Sequence, residues 1–197
     1  MVPVTDGSEQ LTRAMHSLEA AFLIGLEGVT EIWLIRHADC YFEMTDFTDP
    51  PLSSLGRDQA ARLAKRMQGV EHGAVYSSPY QRALETAKAI GYDVKVDDRL
   101  VEMALEVNDD GTLDLQEPPS DVVMRMTAAI DEMIASHPGE RVVAVSHGAA
   151  IMSYLTDVLH LEPGQLRMYP YFTSISVVKA LGDRRMVGAL GDVAHLE

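Results

Sequence analysis

The feature that most limits what this 197-residue chain can fold into is an alternation of two patterns. Short apolar runs bounded by turn residues recur between stretches whose apolar residues repeat with a helical period, which is how the strand and helix units of a largely parallel sheet read. Strands are expected at residues 31–35, 74–77, 93–96, 141–146 and 175–180. A last short strand near 186–190 follows the Gly182-Asp183 turn and should pair antiparallel with its predecessor as a hairpin. Between them, Ser54 opens a stretch with Leu55, Ala60, Leu63, Ala64 and Met67 on one face, stopped by Gly69. Ser78-Pro79-Tyr80-Gln81 predicts a capping box ahead of a helix whose inner face is Ala83, Leu84, Ala87 and Ile90. Residues 120–136 repeat Val122, Met126, Ala129/Ile130 and Met133 before His137-Pro138-Gly139 ends the helix, and 148–159 is the fourth. The expected architecture is an α/β three-layer sandwich: a mostly parallel central sheet with one antiparallel edge strand and helices on both faces.

The length suits one ordinary domain, here residues 31–197, with residues 1–30 as a helical extension. In that extension Leu11, Met15, Leu18, Phe22 and Leu26 fall on one helical face before Gly28 breaks the run, so the helix should pack on the domain or on a twin subunit as a homodimer. Sixteen basic against thirty acidic side chains give a net charge of -14, which repels nucleic acid and anionic membranes at long range. The single cysteine, Cys40, cannot close an intrachain disulfide, no Cys/His cluster has zinc spacing, and no apolar stretch approaches a membrane span. With no basic-then-apolar leader at the start, the reading is a soluble cytoplasmic protein.

In an open parallel sheet, ligands gather beyond the carboxyl ends of the strands, where helix N-termini present amide hydrogens and a positive dipole end. Three expected strand ends carry unusual polar groups: Arg36-His37 after the first, Ser77-Ser78-Pro79 leading to Arg82 after the second, and Ser146-His147-Gly148 after the fourth. Two arginines and two histidines converging there would make a phosphate pocket, with guanidinium forks on the non-bridging oxygens and a neutral imidazole as nucleophile. Each residue alone has a plainer reading. A histidine after a strand is commonly a capped or half-buried side chain, and Arg82 could pair with Glu85 on a solvated face. Their coincidence at one sheet edge is what favours chemistry.

Five segments then carry a resemblance: L-I-R-H, P-L-S-S-L-G-R-D-Q-A, V-Y-S-S-P-Y-Q-R-A-L-E-T-A, D-R-L-V-E and V-S-H-G. In this order they resemble the histidine phosphatase superfamily, which includes the cofactor-dependent phosphoglycerate mutases, from about Ile32 to the C-terminus. The resemblance implies a mixed, mostly parallel sheet flanked by helices. It makes His37 the nucleophile that becomes phosphohistidine, with Arg36, Arg82 and His147 holding phosphoryl oxygens and Glu102 as the acid that protonates the leaving oxygen. It implies no metal and no cofactor, and a phosphorylated small molecule or phosphoprotein as substrate.

The departures are specific. The family commonly reads R-H-G-E-T where this chain has Arg36-His37-Ala38-Asp39-Cys40, and Cys40 reads as a small packing group rather than a redox thiol. Glu43 stands where many members place an asparagine on the phosphate, so it either points away or meets a cationic part of the substrate. Glu106, four positions past Glu102, is a second candidate carboxylate. The long insert of the mutases is missing before His147. The stretch 103–119 also carries Glu106, Asp109, Asp110, Asp114 and Glu117, which would oppose a bisphosphate. Hydrolysis of a monophosphate is therefore the preferred activity. A mutase and a non-catalytic phosphate-binding module stay open, as does a simple solvated hairpin around Asn108-Asp109-Asp110-Gly111.

Overall fold

A computed structural model of the chain describes residues 7–41, 49–91 and 93–197. The expected strands are all present, as β1 (Thr30–Arg36), β2 (Ala74–Ser77), β3 (Val94–Val96), β6 (Arg141–Ser146), β7 (Ile175–Leu181) and β8 (Arg184–Asp192). They form one sheet in the order β3-β2-β6-β1-β7-β8. Strands β3, β2, β6 and β1 are parallel neighbours, while β7 pairs antiparallel with both β1 and β8, so antiparallel pairing is confined to one edge. Two further strands, β4 (Leu105–Val107) and β5 (Leu113–Leu115), make a separate antiparallel hairpin.

Period-two alternation divides the core into two layers. Ile32, Leu34, Val142, Ala144 and Val178 point to one face, where they meet Met126 and Ile130 of α4 (Pro119–Ser136) and Ile151 and Leu155 of α5 (Gly148–Val158). Ile35, Val75, Val143, Val145 and Ile175 point to the other, against Leu63 and Met67 of α2 (Ser54–Met67) and Ala83 and Ala87 of α3 (Gln81–Ile90). Helices thus cover both faces.

Three local expectations need correction. The N-cap of α2 is Ser53, whose Oγ accepts the Gly56 amide at 3.0 Å, and the buried face is Gly56, Gln59, Ala60, Leu63 and Met67 while Leu55 is exposed. Gly56 is required there, because a Cβ would fall 1.9 Å from the Asp39 carbonyl oxygen. The capping box before α3 does not form. That helix starts two residues later than expected, the Asp49 carboxylate accepts the Gln81 amide, the Gln81 side chain donates to Glu85, and Ser78 is engaged elsewhere.

The N-terminal helix, α1 (Gly7–Ala21), stops earlier than Gly28. Leu23 takes a φ of 56°, its amide returns to Ala20 and the Ile24 amide returns to Glu19, the pairing of a Schellman stop, while Leu23 itself is buried. Leu11, Met15, Leu18 and Phe22 are all exposed, so the apolar stripe does not pack on its own chain. Arg184 instead ties the helix end down through the Ala20 and Ala21 carbonyls. Among the described residues no helix is long and apolar enough to cross a membrane.

Candidate active site

The first, second and fourth parallel strands, β1, β2 and β6, deliver the site. β1 runs straight into Arg36-His37, and the His37 amide continues the ladder by donating to the Ser146 carbonyl at 3.0 Å. β2 leads through Ser77-Ser78 to α3, whose first turn carries Arg82, and β6 ends at Ser146, one residue before His147 at the N-cap position of α5. Arg36, His37, Arg82 and His147 are all buried. Arg82 Nε lies 3.3 Å from His37 Nε2, and the two imidazole rings are 5.0 Å apart, centroid to centroid. The structure therefore brings together the four cationic or imidazole groups singled out in the sequence. Arg82 does not pair with Glu85; its other partner is Asp49, at 3.5 Å.

His37 Nδ1 is 2.7 Å from the Ala38 carbonyl oxygen. A carbonyl can only accept, so Nδ1 carries the proton and Nε2 keeps its lone pair. Burial, first, pushes the imidazole down to about 3; the Ala38 hydrogen bond opposes this, and the Arg82 and Arg36 charges add to it. The ring is neutral across the physiological range. His147 is likewise held well below its ordinary value, by burial first and then by the neighbouring His37 imidazole and the Arg82 and Arg36 charges. Its Nε2 meets Ser78 Oγ at 2.8 Å, and its Nδ1 is buried without a partner. Arg36 Nε is also buried and unpartnered, although its Nη1 donates to the Pro170 carbonyl at 2.8 Å.

Glu102 closes the constellation. Its Oε1 accepts the Met103 and Ala150 amides at 2.9 and 3.0 Å, and Oε2 accepts Ala149 at 3.3 Å, so the carboxylate is seated on the first turn of α5, next to His147. Arg82 and Glu102 line one cleft of about 640 Å³ together with Tyr80 and Glu117. Glu106 is on β4, bonded to Gln116 and away from that lining, so of the two candidate carboxylates it is Glu102 that shares the cleft with Arg82. Glu43 lies outside the described residues. Cys40 is buried, and burial raises its thiol to about 11, which suits a packing group. A larger cavity of about 690 Å³, among Leu23, Glu31, Gly139 and Arg141, sits at the opposite end of the strands and holds none of these groups.

Several supporting residues were not singled out in the sequence. Phe172 and Tyr169 stack on the Arg36 guanidinium, 4.0 and 4.9 Å from ring centroid to Cζ. Thr86 accepts the Ala38 amide through its hydroxyl at 3.0 Å, and Asp39 accepts the Ser53 hydroxyl at 2.6 Å, which fixes the turn after the histidine. Ser78 had a local signal, but it read as a helix cap.

Two buried arginines, a neutral imidazole whose Nε2 lone pair faces the Arg82 guanidinium, and a carboxyl at a helix N-terminus make an arrangement that could receive an anion. Residues 32–114 and 106–192 match the histidine phosphatase superfamily (branch 1), and the chain belongs to that family. Among curated relatives, a probable phosphoglycerate mutase GpmB of Yersinia enterocolitica is 26% identical, covering 85% of this chain and 95% of the relative. Among solved structures, YhfR of Bacillus stearothermophilus aligns with a TM-score of 0.73 at 27% identity, covering 85% of this chain and all of that one (100%). The phosphoserine phosphatase of Entamoeba histolytica in complex with phosphoserine shares the fold at a TM-score of 0.73 and 20% identity, over 85% of this chain and 100% of that one.

Proposed function

We propose that the protein is a phosphomonoesterase that works through a phosphohistidine at His37. The observation that carries this reading is the state of the His37 ring. Its proton is committed to Ala38, its basicity is suppressed, and its Nε2 lone pair faces a guanidinium that would hold the incoming phosphoryl group. In the first step Nε2 bonds to phosphorus as the P–O ester bond breaks, and Glu102 delivers a proton to the departing oxygen. In the second, water attacks phosphorus, Glu102 takes its proton, and the Nε2–P bond breaks to release inorganic phosphate. Arg36 and Arg82 neutralise the equatorial oxygens and the neutral His147 adds a hydrogen bond; the buried, unpartnered Arg36 Nε and His147 Nδ1 are donors that such an oxygen would satisfy.

The substrate class is a small phosphorylated metabolite, in keeping with the names of the relatives and the phosphoserine bound by a protein of the same fold. The mutase names favour a second reading, phosphotransfer between two positions of one substrate. Against it, the cleft places a second carboxylate, Glu117, alongside Glu102, and that charge would oppose a second phosphate.

Hydrolysis of an aryl phosphate by purified protein tests the proposal. The expected result is turnover that survives exhaustive chelation. Activity lost to chelator and restored by a divalent ion would remove the metal-free mechanism, and binding of phosphate without turnover would leave a non-catalytic module.

A further inference from the structure

A second cavity, of about 570 Å³, begins where the cleft ends. Met103 and Leu105 line both. From there it runs along the face of α5 formed by Ala149, Met152, Ser153 and Thr156, with Val123 and Pro119 of α4 as the facing wall and Leu115 as the roof. The rise per helical residue makes it about 10 Å long from Ala149 to Thr156. Its lining is largely apolar, its size is that of a small-molecule site, and its one carboxylate, Asp157, is at the far end. Leu105 and Leu115 are directly opposed in the hairpin register, yet they are 40% and 58% exposed. Two leucines held over a groove and left half-open have no packing partner covering them among the described residues.

The groove is also continuous with the reacting centre in a chemically defined way. Glu102, whose carboxylate bonds the Ala149 amide at the head of the groove, is the group assigned to the leaving oxygen. Whatever that oxygen is attached to must therefore leave the pocket past Glu102, toward Met103, Leu105 and Ala149. A polyanionic body would meet Glu117 in the cleft and find no cation along the groove, whereas an apolar one would cover the exposed leucines.

We propose that this groove is the leaving-group subsite and that the preferred substrates are phosphomonoesters of an apolar alcohol, an alkyl or aryl chain about 10 Å long. The inference rests on the phosphomonoesterase reading above. Its test is a ladder of n-alkyl phosphates from ethyl to dodecyl, in which leaving-group basicity barely changes. The value of kcat/KM should rise by roughly threefold to fourfold per methylene and level off near octyl, where the groove ends. Val123→Trp, which fills the groove, should flatten the ladder. Leu115→Asp, at an exposed position where folding is not at stake, should reduce its slope. A flat ladder in the unmodified protein, with ethyl phosphate still hydrolysed, overturns the subsite and leaves the phosphatase reading standing. No hydrolysis of any member overturns both. A flat ladder together with self-association that Val123→Trp abolishes assigns the groove to a second copy of the chain instead.

Discussion

Arg36, His37, Arg82 and His147 are each no more than 8% exposed, whereas Leu105, Val107, Leu113 and Leu115 on the hairpin range from 40% to 70%. The first group is held by long-range structure: strand ladders, the Thr86 hydroxyl beneath Ala38, and two aromatic rings against Arg36. The second is held mainly by itself. Gln116 donates to Glu106, Asn108 to Asp114, Thr112 to Asp110, and Arg125 grips Glu117 at the hairpin's root. The difference separates two tasks. Phosphoryl chemistry needs charges fixed before the substrate arrives, because reorganising them costs rate, while choice among alcohols needs only a surface that can be covered.

Glu102 sits at the seam between the two regions and offers the largest expected effect. Glu102→Gln should slow hydrolysis of an alkyl phosphate by roughly 10²- to 10⁴-fold and that of an activated aryl phosphate much less, since the aryl oxygen leaves without a proton. Equal losses for both, measured as kcat/KM on the paired substrates, would move the acid role to another group.

The buried floor also leaves a signature in stability. The folded-state value of His37, about 3, lies below the ordinary 6.5. Between those values the unfolded chain binds more protons than the folded one. The contribution is therefore fully present above about pH 6.5 and declines as pH falls toward 3. At pH 5 this single ring accounts for about 2 kcal/mol, and His147 adds in the same direction. Thermal unfolding of His37→Asn should consequently lose several degrees less than the parent protein between pH 7 and pH 5. An identical pH dependence for the two would contradict a buried neutral imidazole.

The hairpin should be nearly silent by comparison. Asp114→Asn, on an exposed strand whose partner is Asn108, is expected to change turnover of a small aryl phosphate by less than about threefold. A loss approaching that of Glu102→Gln would show that the hairpin takes part in the chemical step.

Much of this was legible in the sequence, and the part that was not shares a cause. Strand ends are written locally, so Arg36-His37 and Ser146-His147 could be placed at one sheet edge from apolar runs alone, and the two-sided burial of Ile32, Leu34 and Ile35 follows from the same runs. Residues whose roles depend on distant partners misread. Ser78 carries a cap signal, but its hydroxyl goes to His147, 69 positions on. Phe172 and Tyr169 lie in an irregular stretch before β7, where no periodicity marks an aromatic as a partner for Arg36. The apolar stripe of α1 is real, yet the Leu23 turn carries it away from the core.

The proposed mechanism puts the phosphoryl group on His37 Nε2. Rapid denaturation of the enzyme during turnover of a phosphorus-labelled substrate tests it directly. A phosphohistidine there should give a covalent label that is labile in acid and stable in base, that maps to the peptide containing His37, and that is absent from His37→Ala. A label that survives acid, maps elsewhere, or persists in His37→Ala would contradict it.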